Sequence, residues 1–132
     1  MPGLAYLDSS AIVKLVVEER ESQALRVSLR GRPQRVSSAL ALVEVTLAAA
    51  RREPTPPPGR VPGILSGLAL VPIDQPVLKT AAGLAHLQLR ALDAIHIATC
   101  LSLGADLDVL IAYDQRLLAA GSTLGLHTEQ PA

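Results

Sequence analysis

Residues 89–104 read Leu-Arg-Ala-Leu-Asp-Ala-Ile-His-Ile-Ala-Thr-Cys-Leu-Ser-Leu-Gly. Apart from Arg90, Asp93 and His96 the stretch is apolar or small, the pattern of a helix buried in a core and ended by Gly104. A carboxylate in such a helix is expensive unless it is paired, capped or bound to a cation. Asp93 stands where the turn meets the helix, so N-capping is one role open to it. A second role comes into view once other acids are found in similar settings.

Working outward, the pattern alternates strand and helix. Towards the N-terminus, Leu4 to Leu7 is a short apolar run ending at Asp8, and Ser9-Ser10 opens a helix through Val17. A second helix is expected over 21–30, stopped by Gly31, then an extended segment over 34–37. A long helix over 38–53 carries Leu40, Val43, Leu47 and Ala50 at helical spacing, which makes them its expected core face. Glu44 is the one charge between Arg35 and Arg51. A mid-helix glutamate has no cap to make; the bland alternative is a rim position with its carboxylate in water. Pro54 to Gly59, with Pro62-Gly63, breaks the chain before a short helix near 64–68.

A strand over 69–73 follows, and Asp74 is expected to cap a helix over 77–89. Beyond Gly104, Asp106 and Asp108 read as a solvated loop and 109–112 as a strand with Tyr113-Asp114 at its end. A short helix over 115–120, stopped by Gly121, and an edge strand around 124–128 complete the reading. This alternation predicts an α/β domain, residues 1–132, with a mostly parallel sheet flanked by helices. In such sheets ligands bind beyond the carboxyl ends of the strands, where Asp8 and Asp114 fall.

Composition narrows the function. There is no Phe or Trp and only two tyrosines, so the core is aliphatic and the aromatic stacking platforms of single-strand binders are excluded. Met1 to Asp8 lacks the basic start of a secretory signal and meets an acid too early. No uncharged apolar run reaches membrane-spanning length, and Cys100 is the one cysteine, so a cytoplasmic location is expected. Net charge is zero, but the distribution is uneven: residues 20–60 hold eight arginines against three acids, and the rest of the chain holds the balancing acidic excess. That split suggests a basic surface beside an acidic site, a cradle for a polyanion, although any one arginine is equally well read as a solvated helix face.

Asp8, Glu44, Asp93 and Asp114 are then two acids at strand ends, one opening a buried helix and one embedded in another. Capping explains Asp8 as readily as chemistry does. Four carboxylates meeting in one pocket would repel one another, so their convergence implies a divalent cation, and hard oxygen donors favour Mg²⁺, with Mn²⁺ as substitute. His86, His96, His127 and a single cysteine offer no zinc spacing. His96 follows Asp93 by three, either as a satisfied core histidine or as support for an acid. No nucleophile elbow, glycine-rich phosphate loop or Walker motif is present.

Four short segments, in this order, carry a resemblance: Tyr6-Leu7-Asp8-Ser9-Ser10-Ala11, Ser38 to Val45 around Glu44, Leu92-Asp93-Ala94-Ile95-His96-Ile97-Ala98, and Ala112-Tyr113-Asp114-Gln115-Arg116-Leu117. Together they resemble the PIN-domain family, and most closely the VapC toxins of bacterial toxin–antitoxin pairs. The resemblance implies a compact α/β/α fold and a Mg²⁺-dependent endoribonuclease, often dimeric and silenced by a cognate VapB-type antitoxin. It implies that Asp8, Glu44, Asp93 and Asp114 form the acidic metal site, with Ser10 as the small polar residue beside the first acid. Asp114 answers to the family's least constant acid. RNA is then the expected substrate, and Arg51, Arg52, Arg90 and Arg116 are the candidate phosphate contacts. Two other classes are weighed beside this one. A phospho-receiver domain also gathers acids at strand ends, but Lys14 and Lys79 are misplaced for it. A catalytically silent module binding RNA or antitoxin shares every feature except turnover.

Overall fold

The computed structural model describes residues 3–132; the first two residues of the expected 1–132 unit lie outside these. Strands β1 (Leu4–Leu7), β2 (Arg35–Ser38), β3 (Ala69–Val71), β4 (Leu107–Ile111) and β5 (Thr128–Glu129) form one sheet in the order β3-β2-β1-β4-β5. Every pairing is parallel. Because side chains alternate along a strand, Ala5, Leu7, Val109 and Ile111 point to one face, and Tyr6 and Leu110 to the other. Each face is covered by helices, which is why the central strands read as unbroken apolar runs.

On the first face lie α1 (Ser9–Val16), α2 (Ser22–Leu29), α3 (Leu40–Ala50) and α4 (Arg60–Leu65), contributing Ile12, Leu25, Val45 and Leu65. On the second lie α6 (Ala91–Leu103) and α7 (Gln115–Thr123), contributing Ile97, Cys100 and Leu117, with α5 (Gln75–Ala82) packed on α6. The result is the expected α/β/α sandwich. Among the described residues no helix is long and apolar enough to cross a membrane.

Three acids cap helices: Asp8 accepts from Ala11 N, Asp74 from Val77 N, and Asp114 from Arg116 N and Leu117 N. Asp93 does not. Helix α6 starts at Ala91, with extended Arg90 in the capping position, so Asp93 lies within the first turn and holds no cap bond.

Several expected boundaries move. The α3 stripe expected to face the core is largely exposed: Val43 and Leu47 face solvent, while Ala41, Val45 and Ala49 are buried. Small side chains let α3 approach α1 closely, and a helix apolar all round gives periodicity nothing to select. The expected helix over 64–68 instead spans Arg60–Leu65, because Gly59, at φ 89°, turns the chain and Pro62 is tolerated in the first turn. The helix expected to run to residue 89 stops at Ala82 and gives way to a 3₁₀ turn at Ala85–Leu87. Asp108 lies in β4 rather than in a loop, held by Arg32. Gly121 does not stop α7; it lets the helix lie against the sheet, since a Cβ there would stand 3.0 Å from Leu110 Cδ2.

Candidate active site

The strand order runs outward from β1 in both directions, so the chain reverses its course across the sheet between β1 and β4. At such a switch point the connections on either side diverge and leave a crevice beyond the strand ends. Asp8 immediately follows β1, and Asp114 follows β4 by three residues. Glu44 comes from α3 on one side and Asp93 from α6 on the other. All four acids line one cleft of about 330 Å³, together with Ser9, Ser10, Arg90 and His96. The four acids singled out in the sequence therefore line one cleft.

Asp8 is buried, and its Oδ1 accepts from Ser10 Oγ at 2.7 Å and Ala11 N at 2.9 Å. Ser10 Oγ also accepts from Tyr113 N at 2.9 Å, tying the loop of the first acid to the loop of the fourth. Asp114 likewise uses Oδ1 alone, for Arg116 N and Leu117 N. Glu44 uses Oε1 alone: Ser9 Oγ donates to it at 2.5 Å and His96 Nε2 stands 2.7 Å away. Each of these three acids is thus anchored by one oxygen with its other oxygen outside those bonds.

From the sequence alone neither Ser9 nor Tyr6 has a role in the site. Ser9 Oγ is shared between Glu44 and His96 Nε2. Tyr6, fully buried on β1, has its hydroxyl 2.6 Å from His96 Nδ1. A signal was present: a lone tyrosine in an aliphatic strand must find a partner for its hydroxyl. What the sequence concealed is that the partner lies ninety positions away.

Electrostatics separate the acids. Burial pushes Asp8 above the ordinary aspartate range, against the hydrogen bond from Ser10, the nearby His96 and the backbone N–H groups. Burial also pushes Asp93 up, and the charges of Asp114 and Glu44 add to it, against His96 and Arg90. Burial would raise Glu44 too, but the hydrogen bonds from His96 and Ser9 outweigh it and hold the carboxyl below its usual range. Of these three acids Glu44 is therefore the one its surroundings hold as an anion.

Among the described residues no three His, Cys, Asp or Glu side chains form a ready-made cation site as they stand. The donor set nonetheless fits a hard divalent cation. It consists of carboxylate oxygens, it concentrates negative charge in one cleft, and three of its acids have a second oxygen outside the bonds named above.

The arginines are mostly spent elsewhere. Arg26 pairs with Glu18, Arg32 with Asp108 and Glu129, and Arg52 with Glu19, while Arg35 and Arg60 bond backbone carbonyls. The expected basic cradle from residues 20–60 is thus largely consumed by the fold. Of the four candidate phosphate contacts, Arg90 lines the cleft, and Arg116 lines a neighbouring cavity of about 440 Å³ with Gln88 and Thr123. That cavity is larger but contains no acid, so the chemistry points to the smaller one. Arg52 is committed to Glu19, and Arg51 lies at the far end of α3, roughly 10 Å along the helix from Glu44 at 1.5 Å per residue.

The PIN domain family model matches residues 5–122. The chain is 50% identical to Ribonuclease VapC46 of Mycobacterium tuberculosis over 128 residues, covering 96% of this chain and 97% of that protein. Among solved structures, Mycobacterium tuberculosis VapC20, described as a sarcin–ricin loop cleaving toxin, superposes with a TM-score of 0.71 at 16% identity over 96% of this chain and 99% of that one. A toxin–antitoxin complex from Klebsiella pneumoniae gives a TM-score of 0.69 at 21% identity, over 87% and 90%. The structural likenesses show the fold, and the sequence identity along nearly the whole length carries the kinship: the chain belongs to the PIN-domain family, in its VapC branch.

Proposed function

We propose that the protein is the endoribonuclease toxin of a VapBC-type pair, hydrolysing RNA phosphodiester bonds at Asp8, Glu44, Asp93 and Asp114 with Mg²⁺, or Mn²⁺ in its place. The observation that carries the reading is the meeting of four carboxylates from four separate elements at the switch point of the sheet. Those acids would hold the ion. When bound, a divalent cation supplies charge neutralisation and activates water for in-line attack on a phosphate.

The chain's own residues do the rest. Ser10 fixes the Asp8 loop to the Asp114 loop, so the two strand-end acids keep their spacing. His96 and Ser9 hold Glu44 as an anion aimed from the side of α3. Arg90 at the cleft, with Arg116 beside it, offsets the charge of flanking phosphates, a contribution that positions RNA without reading its sequence. Exposed Leu42, Val43 and Leu47 on α3 and Leu92 at the cleft form apolar surface that supports a VapB-type antitoxin and a second copy of the chain as partners. A cytoplasmic site of action accords with an RNA substrate.

The test is cleavage of a panel of structured and single-stranded RNAs in Mg²⁺ or Mn²⁺. Activity should vanish in EDTA and fall at least a hundredfold in Asp8→Asn and Asp93→Asn, in line with the loss of a metal-borne step. Undiminished cleavage by both variants would remove the site. Antitoxin binding without turnover on any RNA would leave a silent module.

A further inference from the structure

We propose that Tyr6 is a positioning residue: through one hydrogen bond it fixes which nitrogen of His96 carries the proton, and so holds Glu44 aimed into the cleft. This rests on Glu44 belonging to the proposed acid site.

The assignment follows from counting protons along the chain of contacts. Glu44 Oε1 accepts from Ser9 Oγ at 2.5 Å and faces His96 Nε2 at 2.7 Å. An ionised carboxylate can only accept, so the proton between them sits on Nε2. On the opposite side of the ring, the Tyr6 hydroxyl is 2.6 Å from Nδ1. Burial keeps that hydroxyl protonated, holding it well above its ordinary range. A protonated phenol facing a bare ring nitrogen donates to it. The polarity of the whole relay is thereby set: Tyr6 O–H to Nδ1, and Nε2–H to Glu44.

Geometry makes the arrangement single-valued. Tyr6 is fully buried and His96 is 2% exposed, so water cannot replace the phenol as donor. The rings meet edge to face, with centroids 5.8 Å apart and planes at 80°. Tyr6 sits on β1, His96 on α6 and Glu44 on α3, so the relay crosses all three layers of the sandwich. Without the hydroxyl, Nδ1 is a buried acceptor with no donor, and the ring gains by turning. That change alters what Glu44 receives. The same logic operates where a carboxylate or carbonyl orients a metal-binding histidine, and loss of such outer partners weakens metal binding by about 10–100-fold.

The experiment uses ¹⁵N-histidine-labelled protein free of metal, followed by titration with Mn²⁺ alone. Long-range ¹H–¹⁵N spectra of the wild type should show His96 protonated on Nε2 with Nδ1 bare. Tyr6→Phe, which removes one oxygen from the core, should lose that single ring state and bind Mn²⁺ roughly tenfold more weakly. His96→Gln is the second arm, because an amide has no tautomers to select: in that background Tyr6→Phe should change Mn²⁺ affinity less than twofold. A general packing role for Tyr6 would give the same loss in both backgrounds and would overturn the proposal, as would a proton on Nδ1 in the wild type. The ring spectrum is read without metal, so it decides the assignment even if the wild type binds no Mn²⁺, a result that would instead remove the proposed cation site.

Discussion

Asp93→Asn should make the metal-free protein more stable while depriving it of stabilisation by divalent cations. Burial raises Asp93, and the charges of Asp114 and Glu44 raise it further. Relieving repulsion from two carboxylates in a partly wet cleft is worth on the order of 1 kcal/mol each. Against this, a negative charge in the first turn of α6 gains about 0.3–1 kcal/mol from the helix terminus, and the attraction to Arg90 is also forgone. The net gain is about 0.5–1 kcal/mol, or roughly 2–5 °C in Tm for a chain of this size. Asp93→Ala should behave alike, because α6 has no side-chain cap for the substitution to remove. The sign with pH follows from the raised value. The ionised form carries the folding penalty, so the advantage of the asparagine variant is complete above the folded-state pKa. It fades as pH falls through that value towards the unfolded one near 3.8. Thermal melts of wild type and both variants, in EDTA across pH 4–8 and in graded Mn²⁺, provide the assay. Wild type should gain about 2.7 kcal/mol at a hundred times its Kd, and the variants much less. If both variants melt below the wild type in EDTA at neutral pH, the acids do not repel one another and the reasoning fails.

Asp8→Asn should abolish RNA cleavage yet melt within about 1 kcal/mol of the wild type, because asparagine caps α1 as well as aspartate does; a cooperative drop in Tm would expose a structural role beyond the cap. Arg116→Ala should leave the melting curve unchanged and weaken RNA binding with a salt slope shallower by about one, read from binding isotherms at several salt concentrations. In Gly121→Ala the added methyl would lie 3.0 Å from Leu110 Cδ2 and 3.2 Å from Thr128 Cγ2. The crowding of about 1–3 kcal/mol should exceed the gain of about 1 kcal/mol in helix propensity, giving a lower urea midpoint and faster amide exchange in β5.

The order of elements and the four acids were legible in the sequence because each left a local mark. Asp8 and Asp114 terminate apolar runs, and Glu44 and Asp93 interrupt apolar helices. Capping and a place in the cleft are compatible for Asp8 and Asp114, since a carboxylate that caps with one oxygen has a second. The inner face of α3 was not legible. Its large residues Leu42, Val43 and Leu47 lie outward while Ala41, Val45 and Ala49 lie inward, so side-chain size misleads where close helix contact is what the fold requires. Nor could charge counting reveal that Arg35 and Arg60 are bound to backbone carbonyls and Arg52 to Glu19. The Tyr6–His96–Glu44 relay joins three elements that meet only once the sheet has formed.

The central place of β1 has a bearing on synthesis. Its neighbours are β2 on one side and β4 on the other, where Ala5 pairs with Val109 and Leu7 with Ile111, residues near opposite ends of the chain. Parallel pairing over such a separation is slow to form, and it cannot begin while the later strand is still within the ribosome. The first acid is therefore made at once but has no cleft to belong to until β4 and the loop bearing Asp114 have emerged. A chain released early, short of residue 107, lacks a central pairing partner as well as the fourth acid. For a cell translating an enzyme that attacks RNA, the topology itself withholds the cleft from every copy that stops short of β4.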